Sequence, residues 1–249
     1  MNILKSLEDK VDIPLEDKLK KTEEIIKKSL ERSSNPLVGW SGGKSSTVLL
    51  YLVRKFKPDI KVIFHNTGVE FPETLDFIKR MKKEWDLNLF ITKPWKKNFW
   101  DVIKEYGWPE GKHKYNEKGF QGRYCVYYLK EKPLQIFCRE NSIDLIFDGI
   151  SFSESRHRMF LAEKFGYEFY AKKFQVLKVR PLIYWNEEDV WDFINENGIP
   201  YNSLYDKGVK RTGCMTCTAY KSWKENLSKA NPRMLRIILE LKDGQRTLD

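Results

Sequence analysis

Apolar residues recur along this chain with two different periods, and their alternation predicts the architecture. Leu15, Leu19, Ile25, Ile26 and Leu30 fall at near-helical spacing among charges, so residues 14–32 are expected to form an amphipathic helix opened by Pro14. Its Lys20, Lys21, Lys27 and Lys28 face is expected to be solvated. Ser33, Ser34, Asn35 and Pro36 then break the pattern. Short apolar runs follow, separated by helical stretches. Residues 37–40, 60–64, 87–92 and 144–150 read as strands, with 168–170 and 175–179 as shorter ones. Helices are expected through 48–53, over 71–85, 99–106, 153–164 and 187–197, and from about residue 123 onward. After Tyr201 the pattern is irregular until a helical pair at 223–227 and 232–241. Strands alternating with helices predict an α/β fold with a doubly wound, mostly parallel sheet and helices on both faces.

Composition adds size and charge. The 249 residues allow one large domain, or one with a small appendage. Apolar residues make up 41% and aromatics 14%, with eight Trp, which excludes wholesale disorder. Lys and Arg number 45 against 35 Asp and Glu, a net charge of +10. That surplus suits anionic partners such as nucleotides, nucleic acid or anionic lipid, and equally a lysine-rich solubilising surface. No run approaches the roughly 18 apolar residues of a membrane helix, and residues 1–10 mix acids and bases without an apolar signal core. A cytoplasmic protein with no membrane partner is expected. Four cysteines in a reducing compartment read as thiols or metal ligands. The three histidines, His65, His113 and His157, argue against a histidine-rich metal site.

Trp40-Ser41-Gly42-Gly43-Lys44-Ser45-Ser46-Thr47 lies between the first core strand and its helix. Strand, glycine turn and helix N-terminus together make a phosphate cradle: glycines let the backbone approach, free N–H groups point outward, and the helix dipole favours an anion. Lys44 adds a point charge, and Ser41, Ser45 and Ser46 add hydroxyls. A Walker P-loop would need glycine five positions before Gly43, where Val38 stands. Ser41 to Ser46 instead resembles the pyrophosphate loop of the ATP-pyrophosphatase (adenine nucleotide α-hydrolase-like) superfamily, Ser-Gly-Gly-x-Asp-Ser, with Ser45 in the Asp place.

Three further segments resemble the phosphoadenosine phosphosulfate (PAPS) reductase family of that superfamily. His65-Asn66-Thr67-Gly68-Val69-Glu70-Phe71-Pro72-Glu73-Thr74 is similar to its Asp-Thr-Gly…Phe-Pro-Glu-Thr segment, with Asn66 in the Asp place. Gly149-Ile150-Ser151-Phe152-Ser153-Glu154-Ser155-Arg156-His157-Arg158 is similar to its Gly-x-x-x-x-Glu-Ser-x-x-Arg segment. Val179-Arg180-Pro181-Leu182, Trp185 to Trp191, and Ile199 to Asp206 resemble its Pro…Trp…Asp-Val-Trp…Pro-x-Asn-x-Leu-Tyr run. The order and spacing match from Leu37 to Cys217. The resemblance implies an adenine-nucleotide site of Ser41, Gly42, Gly43, Lys44, Ser45, Ser46, Asn66, Thr67, Gly68, Glu70, Gly149, Glu154, Ser155, Arg156 and Arg158. Lys44, Ser45 and Arg156 are the expected catalytic residues. Arg156 and Arg158 suit phosphate or sulfate, and Glu154 is expected to orient one of them.

Gly213-Cys214-Met215-Thr216-Cys217 is a Cys-x-x-Cys. Alone it fits a redox pair, half a zinc site or part of an iron–sulfur site. Cys125, eight residues before Pro133-Leu134, resembles the place where iron–sulfur members of the family carry a Cys-Cys pair, with Tyr124 in one of the two positions. The resemblance therefore implies metal ligands Cys125, Cys214 and Cys217, for a [4Fe–4S] cluster ahead of zinc. Cys138 reads as core. Residues 218–249 hold no Cys or His, where PAPS reductases carry the Glu-Cys-Gly-x-His whose cysteine attacks the sulfonate.

Three functions remain open on this reading. One is ATP-dependent sulfur transfer with adenylation and pyrophosphate release, with Mg²⁺ on the nucleotide, a sulfur donor protein, and nucleic acid as one candidate acceptor. A second is reduction of PAPS or adenosine 5'-phosphosulfate (APS) to sulfite with a reductant protein. A third is a non-catalytic nucleotide-binding subunit. A homodimer is left open. The expected division is a helical segment over 1–34, a nucleotide-binding α/β core over 35–200, and a Cys-x-x-Cys segment with helices over 201–249.

Overall fold

The computed structural model describes residues 8–109 and 124–246; the basic stretch of Lys112, Lys114, Lys118 and Arg123, whose charge is expected to fit a nucleic-acid acceptor, lies outside them. The elements run α1 (Glu8–Val11), α2 (Leu15–Glu31), β1 (Pro36–Gly39), α3 (Lys44–Arg54), β2 (Lys61–His65), α4 (Pro72–Glu84), β3 (Leu89–Thr92), α5 (Phe99–Tyr106), α6 (Tyr124–Val126), a π-helical turn (Tyr127–Glu131) and α7 (Lys132–Glu140). They continue with β4 (Leu145–Asp148), a 3-10 turn (Phe152–Glu154), α8 (Arg156–Phe165), β5 (Glu168–Ala171), β6 (Val176–Val179), α9 (Glu187–Asn197), α10 (Trp223–Ala230) and α11 (Pro232–Arg246).

The six strands form one sheet in the order β3-β2-β1-β4-β6-β5. β1 pairs parallel with both β2 and β4, with Val38 opposite Val62 on one side and Phe147 on the other. β4 and β6 are also parallel, while β5 and β6 form an antiparallel edge. The expected α/β class with a mostly parallel sheet is therefore observed. Chain order reverses between β1 and β4, which makes their C-terminal ends the ligand-binding position of an open α/β sheet.

The described residues form two compact units interleaved in sequence. The first comprises 8–64, 80–90 and 135–201; the second comprises 65–79, 91–109, 124–134 and 202–246. This differs from the linear division into 1–34, 35–200 and 201–249, because the segments after β2 and β3 pack with the cysteine-bearing segment, and local pattern does not record such long-range packing.

In the first unit Leu37, Val38, Leu49, Leu50, Phe147, Trp185 and Phe193 are buried. The four-lysine face of α2 is exposed as expected. Its buried line is partly polar: Lys18, Thr22, Ile26 and Ser29. Lys18 Nζ lies 2.6 Å from Asp189 Oδ2. Thr22 donates to the Pro181 carbonyl and accepts from the Trp185 indole. These pairings make such burial tolerable. Among the described residues no helix is long and apolar enough to cross a membrane.

Candidate functional site

The phosphate loop sits at the C-terminal end of β1. Gly42 takes φ = 71°, a left-handed conformation that a Cβ would strain. Gly43 is the N-cap of α3 and offers no capping side chain, and the first turn of α3 carries no acid. The positive end of the helix therefore faces outward without an internal carboxylate. Hydroxyls set the loop's shape: Ser46 and Thr47 donate to the Gly43 carbonyl at 2.9 and 3.0 Å, and Ser46 Oγ lies 3.1 Å from Ser41 Oγ. Trp40 Nε1 donates to Thr47 Oγ1 at 3.0 Å. Lys44 Nζ lies 3.0 Å from Glu187 Oε1 and 5.8 Å over the Trp191 ring, both on α9.

Gly149, just past β4, touches this loop from below. A Cβ there would stand 2.6 Å from Ser46 Cα and 2.9 Å from Ser46 N. Glycine at 149 is thus what lets the loop seat against the end of β4. Ser151 caps the following 3-10 turn in a capping box with Glu154. Glu154 also pairs with Arg158. Ser155 caps α8 by accepting from the Arg158 N–H at 3.3 Å. Arg156 opens α8 and is exposed, as is His157.

In the second unit, Asn66 Oδ1 accepts from the Gly68 N–H at 3.0 Å, and Gly68 takes φ = 80°. Thr67 and Glu70 turn inward, 1% and 8% exposed. Thr67 donates to Glu70 Oε1 at 2.6 Å and lies 3.4 Å from Cys214 Sγ. Glu70 and Cys214 form an antiparallel bridge, and the Met215 N–H donates to the Val69 carbonyl at 2.8 Å. The Cys217 N–H closes the knuckle onto the Cys214 carbonyl at 3.1 Å. Cys125 and Cys214 pack on one apolar cluster of Val69, Phe99, Ile103 and Leu129. Lys130, in the π-helical turn, is held protonated chiefly by Cys214, then by Glu70 and Cys217. Burial pushes the Cys214 thiol up, and Lys130 pulls it back.

Residues 35–220 match the family described as the phosphoadenosine phosphosulfate reductase domain. The chain belongs to the PAPS reductase family. An uncharacterized protein of Methanocaldococcus jannaschii is 35% identical over 205 residues, which cover 80% of this chain and 46% of that protein. A second from the same organism is 34% identical, with 41% of its length covered, so the chain spans less than half of these two relatives. The APS reductase of Staphylococcus epidermidis is 30% identical over 84% of this chain and 81% of its own. Among solved structures, PAPS reductase from Candida auris superposes with a TM-score of 0.60 at 22% identity, over 78% of this chain and 88% of that one. The U34-tRNA thiolase of Methanococcus maripaludis, with its [4Fe–4S] cluster, does so with 0.50 at 18% identity, over 93% and 79%. These structures share the fold.

As a PAPS reductase family member, the chain carries its expected site residues in two groups. Ser41 to Ser46, Gly149, Glu154, Ser155, Arg156 and Arg158 lie in the first unit; Asn66, Thr67, Gly68, Glu70, Cys125, Cys214 and Cys217 lie in the second. Cys138 belongs to the first unit and is 2% exposed. Three residues escaped the sequence reading. Glu187 and Trp191 meet Lys44 from α9, and Lys130 is coupled electrostatically to the thiols. For Lys130 the only available signal was its place in an aromatic helix next to Cys125; the π-helical turn that positions it, a feature often found at functional sites, has no local signature.

Among the described residues, no three His, Cys, Asp or Glu side chains gather closely enough to hold one metal ion. A single-ion zinc site of Cys125, Cys214 and Cys217 is thus not formed in this geometry. Three thiols are also a donor set that iron–sulfur clusters take, each thiolate on a separate iron.

Proposed function

We propose that this adenine-nucleotide enzyme transfers sulfur at the expense of ATP. The reading rests chiefly on one observation. The Cys-x-x-Cys knuckle is bonded to Thr67 and Glu70, within the segment that family likeness assigns to the nucleotide. Sulfur chemistry and nucleotide recognition thereby share one segment.

In this scheme the backbone N–H groups of the Ser41–Ser46 loop, with Lys44, bind and orient the β- and γ-phosphates. An acceptor oxygen attacks the α-phosphorus, the bond from that phosphorus to the β-phosphate oxygen breaks, and pyrophosphate leaves. A sulfur nucleophile then attacks the adenylated carbon, and AMP leaves with the oxygen. Arg156 and Arg158 neutralise the departing phosphate. Mg²⁺ would arrive on the nucleotide, since it binds mainly through phosphates and water. A cluster held by Cys125, Cys214 and Cys217 would supply an iron position open to a sulfur ligand. Nucleic acid is the favoured acceptor class, from the net charge of +10 and the thiolase of like fold.

APS reduction is the second reading, favoured by the 30% identity to the S. epidermidis enzyme. Anaerobic protein given ATP, Mg²⁺, sulfide and unmodified tRNA should yield thiolated RNA; given APS and thiol it should yield no sulfite. Sulfite from APS, with no thiolated product, would reverse the assignment.

A further inference from the structure

Five buried side-chain polar atoms have no hydrogen-bond partner among the described residues, and two are Nε and Nη1 of Arg180. The others belong to Ser29, Trp108 and Thr216, which are neutral. A guanidinium keeps its charge at any physiological pH, so burying one without acceptors is the most costly of these arrangements. Arg180 is 5% exposed.

Its surroundings hold it without satisfying it. The Phe169 ring lies 4.3 Å from Cζ and offers a face but no acceptor for the in-plane N–H groups. The carboxylate that acts on it, Asp148, is committed to Lys178 at 2.8 Å. Burial draws the Arg180 pKa down, Asp148 supports it and Arg158 opposes it. An anion beside the Arg180 guanidinium would offset that burial.

Position completes the case. β1, β4 and β6 are mutually parallel neighbours. Arg180 is the first residue past β6, as Gly149 is past β4 and Trp40 past β1. It therefore stands on the same C-terminal rim as the phosphate loop and the start of α8, where such sheets bind ligands.

We propose that Arg180 forms an oxyanion subsite additional to the phosphate loop, which takes a tetrahedral sulfate or phosphate group. Arg180's planar fork suits two oxygens of such a group at once. The anion arrives either free or carried on a nucleotide. The proposal does not depend on which reaction the chain catalyses.

The test compares wild type, Arg180→Met and Arg180→Lys by calorimetry and thermal melting. Inorganic sulfate is titrated with and without saturating ATP, and APS is compared with AMP. Sulfate should bind the ATP-loaded wild type, or APS should bind more tightly than AMP; a free and a nucleotide-borne anion are distinguished by which is seen. That affinity should fall at least tenfold in Arg180→Met and also fall in Arg180→Lys, with ATP affinity kept within about twofold. Without ligand, Arg180→Met should melt at or above wild type, since it removes an uncompensated buried charge. Equal anion binding in all three proteins would overturn the proposal, as would a wild type showing neither effect. So would Arg180→Met melting lower with its anion binding intact, which is the mark of a structural arginine. Loss of ATP binding by all three would count against the phosphate loop instead, and the sulfate titration without ATP would still decide the subsite.

Discussion

Adding one methyl group at Gly149 tests whether the phosphate loop is seated as described. In Gly149→Ala the new Cβ would stand 2.6 Å from Ser46 Cα, 2.9 Å from Ser46 N and 3.1 Å from the Ser45 carbonyl carbon. Carbon atoms in contact lie about 3.5–4.0 Å apart, so the overlap is on the order of 1 Å. All three atoms are backbone, so no side chain can swing aside. Either β4 and the loop separate or the loop deforms. Overpacking of this kind costs about 1–3 kcal/mol, a fall in melting temperature of about 2–12 °C for a chain of this size. The loop that moves is the one expected to bind phosphate through its N–H groups. Losing a single charge-assisted contact costs about 1.5–3 kcal/mol, or roughly tenfold to a hundredfold in ATP affinity. Calorimetric titration with ATP and AMP, alongside melting curves, reads both effects. Gly244→Ala is the control, because a Cβ there meets nothing within 4 Å. An unchanged ATP affinity and melting temperature in Gly149→Ala would refute the seating of the loop.

Other expectations follow from single contacts. Lys44→Ala should weaken ATP binding roughly tenfold or more, while stability changes by no more than about 1 kcal/mol, because its partner Glu187 is 65% exposed; titration and melting separate the two. Ala at Cys125, Cys214 or Cys217 should remove most of the iron and visible absorbance of anaerobically purified protein, because in the proposed cluster each thiolate closes the same site, whereas Cys138→Ala should retain both. Burial pushes the Cys138 thiol up to about 11, so the folded protein should resist alkylation there at pH 8. A raised folded pKa contributes stability that is complete below the unfolded value near 9 and is lost as pH rises toward 11; the denaturant midpoint of wild type should therefore fall toward that of Cys138→Ala over that window.

What the sequence disclosed, and what it concealed, follows from the range of the interactions involved. Runs such as Leu37-Val38 and the capped helix at Glu187–Asn197 carry their own period and end signals, so the elements and the parallel sheet were legible. The phosphate loop was legible because strand, glycine and helix start are adjacent. Gly149 was read as facing the nucleotide, and its close approach to Ser46, about a hundred residues earlier, has no local trace. The buried line of α2 was expected to be apolar, yet Lys18 and Thr22 find partners on Asp189 and Pro181. Lys44's place against Glu187, Lys130's electrostatic coupling to the thiols and the bonding of Cys214 to Thr67 are likewise products of tertiary packing. The hidden part of the site is thus the part assembled from distant segments.

The most direct test of ATP-driven sulfur transfer is the fate of the ATP phosphates. Phosphorus NMR of anaerobic enzyme with ATP, Mg²⁺, sulfide and unmodified tRNA should show AMP and pyrophosphate growing in equal amounts, in step with thiolated RNA and absent when RNA is withheld. Thiolated RNA forming with ATP intact, or ATP cleaved to ADP and phosphate, would contradict the account.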